Sequence, residues 1–423
     1  MPMKIFKFGG ASTKDAESVK NVVSVIAQTG EKDLVIIISA MGKTTNALEE
    51  VVQAYFSETG DVKNALHSVY DFHYKILTGL FSATSHPAFA ELDKTFKELK
   101  RFLETNKSKN HAFVYDQVVS FGELISSKIV SAYFSEHGIH NTWLDVRQCI
   151  KTDANYRDAN VDWEKTQENI SEKVSKTGIT LTQGFLGSET SNNFTTTLGR
   201  EGSDYTAAIF AYCLNAENVT IWKDVPGVMN ADPKTFPDTQ LLPQLSYKEC
   251  IELAFYGASI IHPKTIQPLQ NKEIPLFVRS FIKFKEPGTL IDKNYDKLGV
   301  FPKYPSFILK RNQILMTIRS RDFSFIMDNN ISEIFNVLHK YKIKVSLIQQ
   351  TAITLSLCVN DKYNNFEYLY EELKESFSIK YNEEVILFTF INPSQNQINY
   401  YSHNKKVLLR QETRNTVQIV FKK

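Results

Sequence analysis

Lys7-Phe8-Gly9-Gly10 closes an apolar run and precedes a helical pattern. Glycines there let backbone N–H groups approach an anion at a helix N-terminus, and a lysine adds a point charge suited to a transferable phosphate. The same residues also suit a plain strand-to-helix turn with a solvated lysine. A richer segment is Gln183-Gly-Phe-Leu-Gly187, followed by Thr195-Thr-Thr-Leu-Gly-Arg200-Glu-Gly-Ser203-Asp204-Tyr-Thr206. A strand ends in glycines, a threonine-rich loop follows, and an alanine-rich helix opens whose N-terminus attracts anions. Arg200 offers two donors to a carboxylate, and Asp204 is suited to orienting a lysine near phosphate. Ser203 and Asp204 are also good helix caps. A third loop, from Ile221 through Lys223, Asp224, Met229 and Asp232 to Lys234, lies beyond a strand, where open α/β sheets place ligands. Its Pro-Gly and Asp-Pro pairs are equally ordinary turn chemistry. Gly42-Lys43-Thr44 looks like the tail of a phosphate-binding P-loop, but Ile37 stands where that loop needs glycine, and no G-x-G-x-x-G occurs.

These loops need a scaffold. Lys4 to Phe8, a helix over Asp15 to Gln28 and the buried run Leu34 to Ser39 form a βαβ unit, which implies a parallel sheet. Residues 44–107 show helical periodicity only. Strands follow at Asn141–Val146, Ile179–Phe185, Asn218–Lys223 and Ile274–Arg279, with helices near 116–136, 203–214 and 246–270. One α/β domain therefore spans 1–300. Pro302 to Pro305 reads as part of a linker over 301–312, and 313–391 has the order βαββαβ of a ferredoxin-like unit. Residues 392–423 offer two strand-like runs without helices, a reduced second unit.

The 423 residues include 49 Lys plus Arg and 47 Asp plus Glu, a net charge of +2, too balanced for a dedicated nucleic-acid or membrane-surface binder. Four cysteines without a C-x-x-C pair suggest neither disulfides nor zinc, and point to the cytoplasm. No metal-ligand set is apparent.

Taken in order, Lys7-Phe-Gly-Gly10 with Ser12, Ser39-Ala-Met-Gly42 with Thr45-Asn46, Ser120-Phe-Gly-Glu123-Leu-Ile-Ser126, Gly199 through Thr206, Trp222 through Asp232-Pro233, and Tyr256 through His262-Pro263 resemble the motifs of aspartate kinases, in the amino-acid kinase superfamily. The resemblance implies a three-layer αβα sandwich with a mainly parallel sheet. It also implies ATP with Mg²⁺ as donor, L-aspartate as acceptor and 4-phospho-L-aspartate as product, the first step toward lysine, threonine and methionine. By the same resemblance Lys7 contacts the transferred phosphoryl group and Asp204 holds it. Glu123 and Arg200 receive the α-amino and α-carboxylate groups, with Thr45, Phe185 and Ser203 close by. Gly9, Gly10, Ser39 and the loop residues Lys223, Asp224, Met229, Asp232 and Lys234 serve the nucleotide. Several positions depart from the family pattern: Glu201 replaces a usual glycine, Lys223 a threonine, Met229 an aromatic and Ser259 a lysine, for which Lys264 is the nearby substitute.

The region 313–423 resembles the ACT regulatory part of these kinases, which implies a homodimer or higher homo-oligomer. Two alternatives remain open at this level, an inactive amino-acid-binding regulator and a kinase for another small carboxylate. The stretch Val345 to Thr354, matching the family's effector loop, has no carboxylate, so lysine sensing is disfavoured unless the segment holding Asp322 and Asp328 folds back.

Overall fold

The computed structural model describes residues 3–258, 261–293, 304–322 and 324–422, which fall into two compact units. The first comprises residues up to Val228, with Leu241–Ile251 and Ser259–Gly299. Its eight-stranded sheet runs, edge to edge, Asn141–Leu144, Ile179–Gln183, Leu34–Ile38, Lys4–Phe8, Asn218–Lys223, Leu276–Ser280, Thr289–Asp292 and Gln244–Ser246. Every adjacent pair is parallel except the hairpin of Leu276–Ser280 with Thr289–Asp292. Phe8, Ile38, Gln183 and Trp222 therefore end side by side, and the loops that leave them share one edge of the sheet.

Helices cover both faces. Phe6, Phe8, Leu34, Ile36 and Ile38 join one core with Val19, Val22 and Val25 of helix Ala16–Thr29 and Val118, Val119 and Ile125 of helix His111–Glu136. Strand alternation sends Ile5, Lys7, Val35 and Ile37 to the other face, where the alanine-rich helix Gly202–Leu214 packs on the three central strands. That helix is apolar nearly all round, which is why it is buried. The result is the expected three-layer αβα sandwich. The helical excursion is also present, as Thr44–Phe56, Val62–Leu80 and Pro87–Thr105. The threonine-rich segment is not loop throughout: Thr195–Thr197 is a strand of a small sheet with Lys151–Thr152 and Leu186–Glu189. Three consecutive β-branched residues favour that outcome.

The second unit holds a six-stranded antiparallel sheet in the order Lys344–Gln350, Thr354–Asn360, Ser306–Ser320, Phe377–Ile391, Thr416–Phe421, Val407–Glu412. Helices Asp328–Lys340 and Phe366–Ser376 cover its first half and complete the ferredoxin-like βαββαβ order. Two expectations need correction. The linker assigned to 301–312 lies outside the described residues up to 303, and from Ser306 it is strand, because Phe307, Ile308 and Leu309 pair with Phe388, Thr389 and Phe390. The pairing register shifts between Lys310 and Gln313. The tail 392–423 is not helix-free either: Gln395–Ser402 is a helix with a Ser394/Gln397 capping box. Only Ile398 of its side chains is fully buried, so it left little apolar periodicity to read. The segments Met229–Gln240 and Glu252–Ala258, placed in the first domain by sequence, belong to this unit, where Phe236 packs on Phe307, Phe388 and Tyr401.

The segment before helix Asp328–Lys340 does fold back: Ile326 N–H donates to Ala352 O at 3.1 Å, and Gln350 Nε2 to Ile326 O at 3.2 Å. The contact is made through Ile326, while Asp322 accepts hydrogen bonds from its neighbours Ser320 and Ser324. The four cysteines are free and buried. No helix among the described residues is long and apolar enough to cross a membrane.

Candidate active site

Because Lys7 faces helix Gly202–Leu214, its Nζ reaches Asp204 in that helix's first turn, 2.6 Å from Oδ1. Lys223 ends the neighbouring strand, and its Nζ lies 3.6 Å from Oδ2. Asp204 is buried. Burial alone pushes its carboxyl up, but the Lys7 and Lys223 ammoniums outweigh that and hold it below the usual carboxylate range. The centre thus carries two cations on one anion. Beside it, Gly10 allows a close approach of backbones: a Cβ there would lie 2.8 Å from the carbonyl oxygens of both Ala40 and Gly42. Ser12 Oγ and Thr13 Oγ1, in the short 3₁₀ turn that follows, are buried with no hydrogen-bond partner among the described residues. Orphaned hydroxyls next to a surplus of positive charge suit an anion rich in acceptors.

Helix His111–Glu136 supplies the other half. Its Gly122 lets it press against helix Thr44–Phe56, since a Cβ would meet Thr44 Cγ2 at 2.9 Å. Ser126 Oγ donates to Ser39 O at 2.6 Å, tying the helix to the end of strand Leu34–Ile38. Glu123 is consequently buried, and burial pushes its carboxyl up to about 8, with Lys7 and the Ala40 N–H pulling the other way. Its Oε2 has no hydrogen-bond partner among the described residues. A buried carboxyl with a free oxygen is costly unless something cationic arrives.

Phe185 and Ser203 come together because the turn after strand Ile179–Gln183 is pressed onto the helix N-terminus. A Cβ on Gly184 would lie 2.4 Å from that of Ser203, and one on Gly202 2.6 Å from the Phe185 ring. Phe185 itself is left-handed, at φ 72°, with its N–H donating to Thr206 Oγ1 at 3.0 Å. Glu201 is left-handed too, at φ 55°. This accounts for glycine being the family's usual residue there, because a side chain in that conformation costs about 1–2 kcal/mol. Arg200 is exposed and forms no ion pair among the described residues. Thr45 is half-buried in the first turn of helix Thr44–Phe56, and its neighbour Thr44 donates to Met41 O at 2.6 Å.

The residues assigned to the nucleotide divide. Gly9, Gly10, Ser39 and Lys223 lie at the sheet edge with Lys7, and Asp224 follows Lys223, exposed. Met229, Asp232 and Lys234 sit in the segment that belongs to the second unit, where Asp232 Oδ1 accepts from the Lys234 N–H at 2.9 Å. Lys264 pairs with Asp158. Position 259 lies outside the described residues. No cluster of three or more His, Cys, Asp or Glu able to hold a metal occurs among the described residues. A separate groove of about 210 Å³ between helices Pro87–Thr105 and His111–Glu136 is mostly apolar, and its lysine, Lys128, is paired with Glu91 at 2.7 Å.

Sequence reasoning passed over Asp116, fully buried on the same helix as Glu123. An aspartate flanked by Val114-Tyr115 and, beyond Gln117, by Val118-Val119 was the available signal. It also missed His73, fully buried, with Nδ1 2.7 Å from Val69 O and Nε2 3.4 Å from Thr44 Oγ1.

Residues 2–280 match the model of the amino acid kinase family. The lysine-sensitive aspartokinase 3 of Escherichia coli (strain K12) is 29% identical over 359 residues, covering 84% of this chain and 78% of that protein. The chloroplastic bifunctional aspartokinase/homoserine dehydrogenase 1 of Arabidopsis thaliana is 30% identical over 365 residues. There the match covers 84% of this chain but 40% of the relative, so the chain spans less than half of that protein's length. Among solved structures, E. coli aspartokinase III in complex with lysine and aspartate aligns with a TM-score of 0.80 at 25% identity, covering 99% of this chain and 95% of that one. The same enzyme with aspartate and ADP gives 0.81 at 24% identity, covering 99% and 96%. With the family's model matching most of the unit that holds Lys7, Glu123 and Asp204, the chain belongs to the amino acid kinase family.

Proposed function

We propose that this protein is an aspartate kinase, transferring the γ-phosphoryl group of ATP to the side-chain carboxylate of L-aspartate and forming 4-phospho-L-aspartate. The observation that carries the reading is the pairing, around Lys7, of a two-lysine, one-aspartate centre with a buried Glu123 whose Oε2 is unpartnered. The first suits a phosphoryl group in transfer. The second suits the ammonium of an amino acid. Relatives named aspartokinase, and a neighbour solved with aspartate and ADP, support the same substrates.

The nucleophile needs no base. A side-chain carboxylate with a reference pKa of about 3.9 is already an anion at neutral pH. One of its oxygens bonds to the γ-phosphorus while the bond from phosphorus to the β-bridging oxygen breaks, ADP leaves, and no proton changes hands. The protein's work is to position the two anions and neutralise their charge. Lys7 and Lys223 supply that charge, and Asp204 fixes both ammoniums. The N–H groups after Gly9 and the orphaned Ser12 and Thr13 hydroxyls fit phosphate oxygens. Mg²⁺ bound with the nucleotide would supply further charge neutralisation, and no cluster of three or more His, Cys, Asp or Glu stands ready to hold it among the described residues. Arg200, unpaired and exposed, is available to the α-carboxylate, with Thr45, Phe185 and Ser203 bounding the pocket. Lys264 and the loop residues Asp224, Met229, Asp232 and Lys234 are assigned to the nucleotide.

We read the first unit as the catalytic domain and the second as an ACT-like regulatory domain. In the second, strands Lys344–Gln350 and Val407–Glu412 are sheet edges with free pairing groups, which supports a homodimer. An inactive regulator is disfavoured because the Lys7–Asp204 pair is intact. The product is an activated carboxylate fit for reduction, in keeping with a first step toward lysine, threonine and methionine. Incubation with MgATP and L-aspartate, with hydroxylamine to trap the acyl phosphate, tests the assignment. L-Glutamate is the comparison, and an equal or greater signal with it overturns the choice of substrate.

A further inference from the structure

Helix His111–Glu136 carries a second buried carboxylate that the reaction does not use. Asp116 lies seven residues before Glu123, about two turns earlier on the same face. Its Oδ2 accepts from Thr197 N at 2.8 Å and Arg157 N at 3.0 Å. Its Oδ1 accepts from Thr197 Oγ1 at 2.8 Å and Arg157 N at 3.2 Å. The next residue continues the clamp: Gln117 Nε2 donates to Thr195 O at 2.7 Å, and its Oε1 accepts from Thr195 N at 3.2 Å. The helix therefore grips the main chain of strand Thr195–Thr197 at two points.

The second segment it grips is held under strain. Arg157 is left-handed, at φ 73°, and its guanidinium lies over the Tyr115 ring at 3.9 Å and pairs with Glu49 at 3.0 Å. Ala159 N–H donates to Thr197 O at 3.0 Å, binding the two gripped segments to each other. A Cβ on Gly199 would lie 2.5 Å from Asp158 Oδ1, so the residue before Arg200 is wedged against the same loop. Arg200 stands three residues beyond Thr197, at the end of this tether. A buried carboxylate whose acceptors are met by backbone N–H groups and one hydroxyl, with no ammonium or guanidinium hydrogen-bonded to it among the described residues, is a costly choice for packing alone. It is well suited to fixing backbone.

We propose that Asp116 is a positioning residue which, by clamping Thr197 and Arg157 to the helix that carries Glu123, sets where Arg200 stands and hence the affinity for the α-carboxylate of the amino-acid substrate. The inference rests on reading Glu123 and Arg200 as the two groups that hold aspartate. Asp116→Asn keeps the size but turns an N–H₂ toward incoming N–H and O–H donors, breaking part of the clamp. The expected result is an aspartate KM raised about tenfold or more, with kcat and ATP KM within about threefold of the parent. Thr197→Val removes only the hydroxyl donor, and it should raise the same KM about threefold.

The decisive measurement is a cycle with Arg200→Ala. If Asp116 acts through Arg200, the double variant has the aspartate KM of Arg200→Ala within about twofold. Multiplicative effects overturn the proposal, and so does an unchanged KM or an equal loss in kcat and both KM values. Should Asp116→Asn fail to fold, the cycle of Thr197→Val with Arg200→Ala decides on the same criteria. Arg200→Ala and Glu123→Gln alone separate the premises: if neither moves aspartate KM, the reading of the site itself fails.

Discussion

With burial pushing its carboxyl up to about 8, Glu123 should be largely neutral in the resting protein at pH 7, and aspartate binding should therefore release a proton. Burial holds its carboxyl at about 8, whereas an ammonium beside Oε2 favours the ionised form and brings that value down. With a resting value near 8, about nine-tenths of the sites are protonated at pH 7, and ionising them costs about 1.4 kcal/mol. The sign follows: the free protein holds more protons than the complex, so affinity rises with pH. The expected gain is about tenfold from pH 6 to 7, somewhat less from 7 to 8, and a plateau above about 8. Titration calorimetry of aspartate into the protein at pH 7, in buffers of different ionisation enthalpy, should report release of about 0.9 proton. In Glu123→Gln both the release and the pH slope vanish. The variant's binding defect should grow with pH, from about 0–2 kcal/mol at pH 7 to about 1.5–3 kcal/mol above pH 8, where the parent no longer has to ionise its carboxyl. A parent that releases no proton, or a Gln variant that keeps the parent's pH slope, would refute the reasoning.

Lys7→Ala and Asp204→Ala should lower kcat far more than they raise aspartate KM, since charge on the phosphoryl group changes mainly during transfer. Steady-state kinetics with both substrates varied checks this. Arg200→Ala should raise aspartate KM by the loss of about 2–3 kcal/mol of charge-assisted pairing while leaving ATP KM unchanged; a change in ATP KM alone would reverse the division of the subsites. Glu201→Gly relieves a left-handed side chain whose Oε2 is buried without a partner, so thermal melts should show stabilisation of about 1 kcal/mol. Light scattering at micromolar concentration should give twice the chain mass of 48.4 kDa or more, and a monomer would dismiss the paired ACT-like edges.

The sequence by itself determined which residues are chemically capable and which segments carry them. Lys7 after an apolar run, Arg200 to Asp204 opening an alanine-rich helix, and Glu123 within Ser120-Phe-Gly-Glu were legible because motif and periodicity are local properties. The strands Lys4–Phe8, Leu34–Ile38 and Asn218–Lys223 were legible for the same reason. Tertiary structure decided everything that depends on distance along the chain. The first half of strand Ser306–Ser320, up to residue 312, looked like linker because Pro302 and Pro305 precede it, and only its partners at Val385–Ile391 make a sheet of Phe307 to Leu309. Asp116 reads as an anomaly in an apolar helix until Thr197 and Arg157 arrive from residues far along the chain with donors for it. Glu123 has an ordinary carboxyl in the unfolded chain, and it is the packing of its helix against Ser39 and Ala40, with water excluded, that moves it to about 8. Side-chain identity is written locally, whereas desolvation and hydrogen-bond partnership come from neighbours that only the folded chain supplies.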